Sequence, residues 1–304
     1  MSDLPLPTLS EAASLSLAWI GEAAELLTER DTPQLLQAYL AAAVCGDMLG
    51  ESQDEAARQV EDVRARLAGS LNAGFARCDG TSVLLGCALE SRIFGETLPA
   101  FRDYAAAAAS ALEALPASVS ANEFPAAAML LARLGLLPEP PSPASSYSPD
   151  LYSLLTADRK TVRENAARIE ALTRYGTRPI ETPLGLGEVL ECVMMEALRR
   201  YDMELACTLL RSLLYLGRRA GRAVDIATHF LLTNETAGGN FGFFDEEIKL
   251  LGKKMPEPLA SLTIQLPVSL ACLWALAEAG LDEYRLFRDL GSRVARVRIA
   301  GGLT

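Results

Sequence analysis

Asp225 and His229 stand four residues apart in RAVDIATHFLLT, a spacing that puts both side chains on one side of a helix. His229 is the single histidine of the chain. A carboxylate beside it would orient and charge the imidazole for proton transfer. The competing reading is a core or capping histidine packed beside Phe230. Directly after this segment, residues 233–247 read TNETAGGNFGFFDEE and interrupt the surrounding Ala- and Leu-rich pattern. Gly238 and Gly239 supply the conformational freedom to end a helix, and Asp245, Glu246 and Glu247 suit the first turn of the next one. Asn240, Phe241 and Phe243 then become candidates to contact a substrate at the mouth of a cavity, with Asp225 and His229 as the proton-transferring pair. In the structural alternative, Phe241, Phe243 and Phe244 fold back onto helix ends and only pin the turn.

Four further acidic residues carry possible chemistry. Glu188 and Glu191 are three residues apart on one face of an apolar helix. Enclosed together they would repel, raising one pKa into the range of a general acid or base; on a wet face they would do nothing of the kind. Asp79, in RCDGT, and Glu123, in ANEFP, each precede a helix. They are either caps or acids at the start of a helix facing a pore. The alternating acids and arginines Glu51, Asp54, Glu55, Arg58, Glu61, Asp62, Arg64 and Arg66 read as a solvated, ion-paired helix. Arg285, Arg288, Arg293, Arg296 and Arg298 form the one basic cluster, suited to an acidic partner or an anionic substrate group.

Composition excludes several classes. The chain has 304 residues, is 50% hydrophobic and carries a net charge of −11, which argues for a large core and against nucleic-acid binding. None of the six cysteines forms a C-x-x-C pair; buried thiols in a reducing compartment are expected. One histidine disfavours a zinc site, and neither a phosphate-binding loop nor a nucleophile elbow is present. No metal or organic cofactor is implied. The amino-terminal MSDLPLPTLSEAAS lacks the pattern of a signal peptide, and no membrane span of about 18 uncharged apolar residues is expected. A cytoplasmic protein follows as the expectation.

The elements that must position these groups are helices. Apolar residues recur at spacings of three and four, as in Leu186, Val189, Leu190, Val193, Met194 and Ala197. Asp31-Thr32-Pro33 and similar pairs punctuate the helix starts. Helices are expected at 9–29, 33–49, 52–70, 81–94, 98–114, 122–135, 149–156, 158–174, 184–200, 203–218, 221–233, 245–252, 263–279 and 282–290. RVARVRI at 293–299 is the single strand candidate. A Pro- and Ser-rich linker at 138–148 separates halves 9–137 and 149–299. The fold class expected is all-α: one ring or toroid of antiparallel helical hairpins, with this linker as a mid-chain crossover.

Thr233-Asn234-Glu235 followed by Gly239-Asn240-Phe241-Gly242 resembles the turn of α/α-toroid proteins in which a Gln and a spacer precede Asp-Gly-Ser-Phe-Gly. Terpene cyclases and protein prenyltransferase subunits belong to that group. Here Asn234 stands where Gln is usual, and Gly239-Asn240 replaces Gly-Ser. Neither DDxxD nor DxDD is present, so classical terpene chemistry loses support. The segment Leu186–Leu216 with the following turn is also similar to helical proteins of actinobacterial natural-product clusters, among them those of azinomycin-type aziridine assembly. That resemblance implies specialised metabolism and intramolecular C–N ring closure on a small-molecule substrate. Two functions thus stand open: a cofactor-independent cyclase or group-transfer enzyme using a carboxylate or His229 as general base, and a non-catalytic helical scaffold that binds a small partner protein. Enclosed acids with perturbed titration mark the first; an exposed apolar patch marks the second.

Overall fold

The computed structural model describes residues 7–50, 54–95, 97–115, 124–138 and 147–281. Among these the chain is all-helical, with thirteen α-helices and an isolated bridge between Glu235 and Phe241. The helices are α1 (Leu9–Leu26), α2 (Thr32–Leu49), α3 (Asp54–Gly74), α4 (Gly80–Phe94), α5 (Pro99–Glu113), α6 (Pro125–Arg133) and α7 (Leu151–Thr156). They continue as α8 (Arg159–Leu172), α9 (Leu186–Arg199), α10 (Met203–Tyr215), α11 (Arg222–Thr233), α12 (Asp245–Gly252) and α13 (Glu257–Gly280).

Local chemistry explains the starts. Thr8 and Glu11 form a reciprocal capping box on α1. The side chains of Asp79, Asp150, Asp158 and Asp202 accept backbone N–H groups of α4, α7, α8 and α10. Asp31 departs from expectation. Its carboxylate turns back to accept from Thr28, and Pro33 alone supports the start of α2. The expected helix at 282–290, the strand candidate 293–299, the basic cluster and Glu123 lie outside the described residues.

Packing follows a cyclic order. α2 packs on α4, α4 on α6, α6 on α8, α8 on α10, α10 on α13, and α13 returns to α2. The remaining helices lie against these: α1 and α3 on α2, α5 on α4 and α6, α9 and α11 on α10, α12 on α13, and α7 on α9. Residues of the two sequence halves are therefore in direct contact, through α2 with α13 and α6 with α8.

α13 begins six residues earlier than its periodicity suggests, because Pro258 sits in its first turn. It also continues through Pro267, which deprives the carbonyl one turn earlier of its donor. By length and composition it is the one described helix able to cross a membrane, contrary to the sequence reading, which missed it. Here most of it is covered by protein, and Leu266, Cys272, Leu273, Ala275 and Leu276 are fully buried. A helix apolar all round is what a core position requires.

Candidate functional site at the Gly-Asn-Phe-Gly turn

The break after α11 is a short antiparallel loop with its own hydrogen-bond ladder. The Thr236 amide donates to the Asn240 carbonyl (2.8 Å), the Gly239 amide to the Thr236 carbonyl (2.9 Å), and the Gly242 amide to the Asn234 carbonyl (2.9 Å). The Asn240 side chain belongs to this ladder: its Oδ1 accepts from the Thr236 hydroxyl at 2.7 Å. The Tyr201 hydroxyl donates to Asn234 Oδ1 (2.8 Å) and accepts from the Phe243 amide (3.2 Å), clasping the stem. Gly239 has φ +87°, and a Cβ there would lie 2.3 Å from the Leu15 carbonyl oxygen on α1. Glycine is thus required both by conformation and by the close approach of two backbones.

Residues directly opposite in an antiparallel pair project to the same side, and the pair here is Glu235 with Phe241. Phe241 is fully buried, and its amide donates to Ser269 Oγ on α13 at 3.1 Å. Glu235 enters the same interior. One carboxyl oxygen, Oε1, is 3.3 Å from the Ser16 hydroxyl of α1. The other, Oε2, is buried and has no hydrogen-bond partner. Burial pushes the Glu235 carboxyl up to about 7, against a small opposing effect of Ser16. Among the described residues no cation offsets it. Its charge acts on the Cys45 thiol of α2 and the Cys272 thiol of α13, both raised chiefly by burial. The Cys207 and Cys272 sulfurs are 3.7 Å apart. A carboxyl that titrates near neutrality in an apolar, cation-free setting is suited to general acid–base work.

The residues singled out in the sequence are placed otherwise. Asp225 and His229 are exposed on α11, and no hydrogen bond or ion pair joins them to each other or to Asn240. Asp79 caps α4, accepting from the Ser82 amide (2.8 Å) and hydroxyl (3.0 Å). Glu188 and Glu191 do share a face, yet Arg218 donates to both, at 2.7 and 3.1 Å. That hydrogen bond holds the Glu188 carboxyl below its usual range, opposite to the rise expected of an enclosed acidic pair. Phe243 is 66% exposed rather than folded back. Cys192 is exposed, whereas Cys45, Cys87, Cys207 and Cys272 are buried as expected.

A second polar cluster joins α8, α10 and α13. Arg211, 6% exposed, donates through Nε and Nη2 to Glu170 (3.1 and 2.8 Å) and lies 4.0 Å over the Trp274 ring. Burial opposes the charge on Arg211, while Glu170 and its neighbours hold it protonated. Tyr215 Oη and Trp274 Nε1 both donate to Glu278 Oε1, at 3.1 and 3.4 Å. Tyr175 stacks on Trp274 at 5.7 Å. It is delivered by consecutive left-handed residues, Arg174 (φ +50°) and Tyr175 (φ +52°), a conformation that costs energy outside glycine. Glu90, fully buried on α4, accepts from Arg64 Nε at 2.6 Å, so the charged face of α3 is not wholly solvated. Arg211 and Glu278 are each a lone charge inside an apolar run, a signal present in the sequence but not read from it.

Among the described residues no three His, Cys, Asp or Glu side chains converge to hold a metal ion. No known protein family matches this chain, and no curated protein and no solved structure is similar to it.

Proposed function

We propose that this protein is a cofactor-independent enzyme of specialised metabolism in which Glu235 moves the proton. The observation that carries this reading is the Glu235 carboxyl itself: held by Ser16 of α1, with a buried second oxygen and, among the described residues, no cation that offsets its burial. Such a group costs stability and is most readily understood as a chemical tool. It replaces Asp225 and His229, whose exposure on α11 gives them no enclosed substrate to act on. The cyclic packing order from α2 through α13 and back supports the reading as a ring of helical hairpins. Intramolecular ring closure, with Glu235 removing a proton from the attacking group, is the form of the reaction proposed. A reducing, cytoplasmic setting suits the adjacent Cys207 and Cys272 thiols.

One observation favours the partner-binding alternative. Tyr152 and Leu155 on α7 and Leu184 just before α9 are large and exposed, on segments that meet where Leu151 lies against Gly185. The deciding experiment compares metabolites from a host lacking the gene, complemented with wild type, Glu235→Gln, Asp225→Ala or His229→Ala. The expected result is a precursor that accumulates in the deletion and is consumed by every complement except Glu235→Gln. Full rescue by Glu235→Gln refutes the assignment. A deletion with an unchanged metabolite profile refutes the enzyme and favours the partner.

A further inference from the structure

Ser16 is fully buried on α1, on the same face as Ala12, Ala13, Leu17 and Ile20. A hydroxyl in such a place must be bonded or it costs stability. The common solution in a helix is a bond back to a carbonyl one turn earlier, and Thr173, Thr208 and Thr263 of this chain make it. Ser16 gives its proton to the turn instead. Its Oγ donates to the Gly239 carbonyl at 2.7 Å and to Glu235 Oε1 at 3.3 Å, partners 223 and 219 residues away in sequence. One proton thus serves two acceptors in a three-centre bond. The close approach that permits it depends on Gly239, where a Cβ would lie 2.3 Å from the Leu15 carbonyl oxygen and 3.0 Å from the Ser16 amide nitrogen.

We propose that Ser16 is the positioning residue of this site: its hydroxyl, anchored on the Gly239 carbonyl, holds Glu235 by Oε1 and leaves Oε2 as the oxygen that takes the substrate's proton. The bond makes the two carboxyl oxygens unequal. Oε1 already accepts, whereas Oε2 is buried without a partner, so it gains most from a donor that the substrate brings. The proton passes from the attacking atom to Oε2, and the bonding pair stays on that atom. Sharing also sets the strength of the base. Ser16 favours the ionised carboxylate and opposes the effect of burial. Because the shorter arm goes to Gly239, that correction is partial, and Glu235 stays near neutrality. The other groups that its charge reaches, Cys45 on α2 and Cys272 on α13, are thiols kept protonated by burial, and Cys207 on α10 stands 3.7 Å from Cys272. Ser16 is therefore the neighbour that tunes the carboxyl. This inference rests on the reading of Glu235 as the group that moves the proton.

A carboxyl NMR titration of Glu235 in the protein alone tests the pairing. The wild-type midpoint should lie near pH 7. In Ser16→Ala, with the bond to the charged form gone, it should move upward by at least about half a pH unit. In Ser16→Cys, whose thiol is a weaker donor, it should fall between the two. A merely structural serine predicts something else: lower stability with the midpoint unmoved, and that result overturns the proposal. The same upward displacement should appear in the acid limb of precursor consumption by extracts of the complemented host. The limiting rate at high pH should fall roughly tenfold in Ser16→Ala, because the carboxyl is no longer held. An acid limb that stays in place while the NMR midpoint moves overturns the assignment of Ser16 to the reaction. Full activity in Glu235→Gln, with the midpoint still displaced in Ser16→Ala, refutes the proton-transfer reading and leaves the pairing of Ser16 with Glu235 standing.

Discussion

Replacing Glu235 with Gln should make the protein less sensitive to alkaline pH, and the size of the effect follows from the burial of one carboxyl. In the unfolded chain the group titrates at its ordinary 4.5, and in the folded protein at about 7. Below the lower value both states hold the proton. Between the two values the folded state holds it and the unfolded state has released it, so stability falls as pH rises through this window and the contribution is gone above it. The full displacement corresponds to about 3 kcal/mol. The side chain is only partly buried, and solvent screening reduces this to about 1–2 kcal/mol. Urea unfolding at about pH 5 and about pH 8, for wild type and Glu235→Gln, isolates the effect, because every other titrating group is common to both proteins. With a slope of about 3 kcal/mol per M, the wild-type midpoint should drop by roughly 0.3–0.6 M more than that of the variant. Equal drops in the two proteins would refute the claim that Glu235 is buried without a countercharge.

Gly239→Ala should cost about 2–4 kcal/mol and strip protection from the turn, because an alanine there meets both the positive φ and the Leu15 carbonyl; Gly238→Ala, whose nearest contact is 3.4 Å, serves as the mild control in the same melting experiment. Arg211→Met should destabilise by about 3–5 kcal/mol by leaving Glu170 unpaired, and adding Glu170→Gln should recover a large part of it, giving a clear coupling energy in a double-mutant cycle. Arg218→Ala should let the Glu188 carboxyl rise back toward 4.5, read by a carboxyl NMR titration. Asp225→Ala and His229→Ala should each shift stability by less than about 0.5 kcal/mol, as expected of exposed positions without partners.

Most of the helical architecture was legible in the sequence because it rests on local terms. Apolar spacing of three and four, aspartates before helices, and prolines in first turns act within one helix, and they place α1 through α12 within a few residues. The exceptions are local signals that a neighbour outcompeted. Asp31 gives its carboxylate to Thr28 instead of the helix end, and α13 passes through Pro267, supported by the protein that covers most of it. The unusual turn was also visible from its glycines and aromatics.

What the turn does was decided by tertiary structure. Asp225 and His229 have the right spacing, but spacing fixes only a common side of α11, and the packing of that helix leaves this side in solvent. Glu188 and Glu191 share a face as expected, yet Arg218, 27 or more residues away in sequence, reverses the sign of the predicted effect on Glu188. Glu235 looks like one more surface acid in TNETAGG. Its carboxyl leaves water only because the bridge to Phe241 puts it on the side of that buried ring, Gly239 lets the turn rest on Leu15, and Ser16 of α1 holds one of its oxygens. The desolvation that changes its chemistry is a property of neighbours more than 180 residues distant in the chain, Ser16 and Cys45 among them, and no local pattern encodes it. Residue types and local spacing determined which helices form. The burial and countercharges around each acid, which decide which of them can do chemistry, came only from their packing.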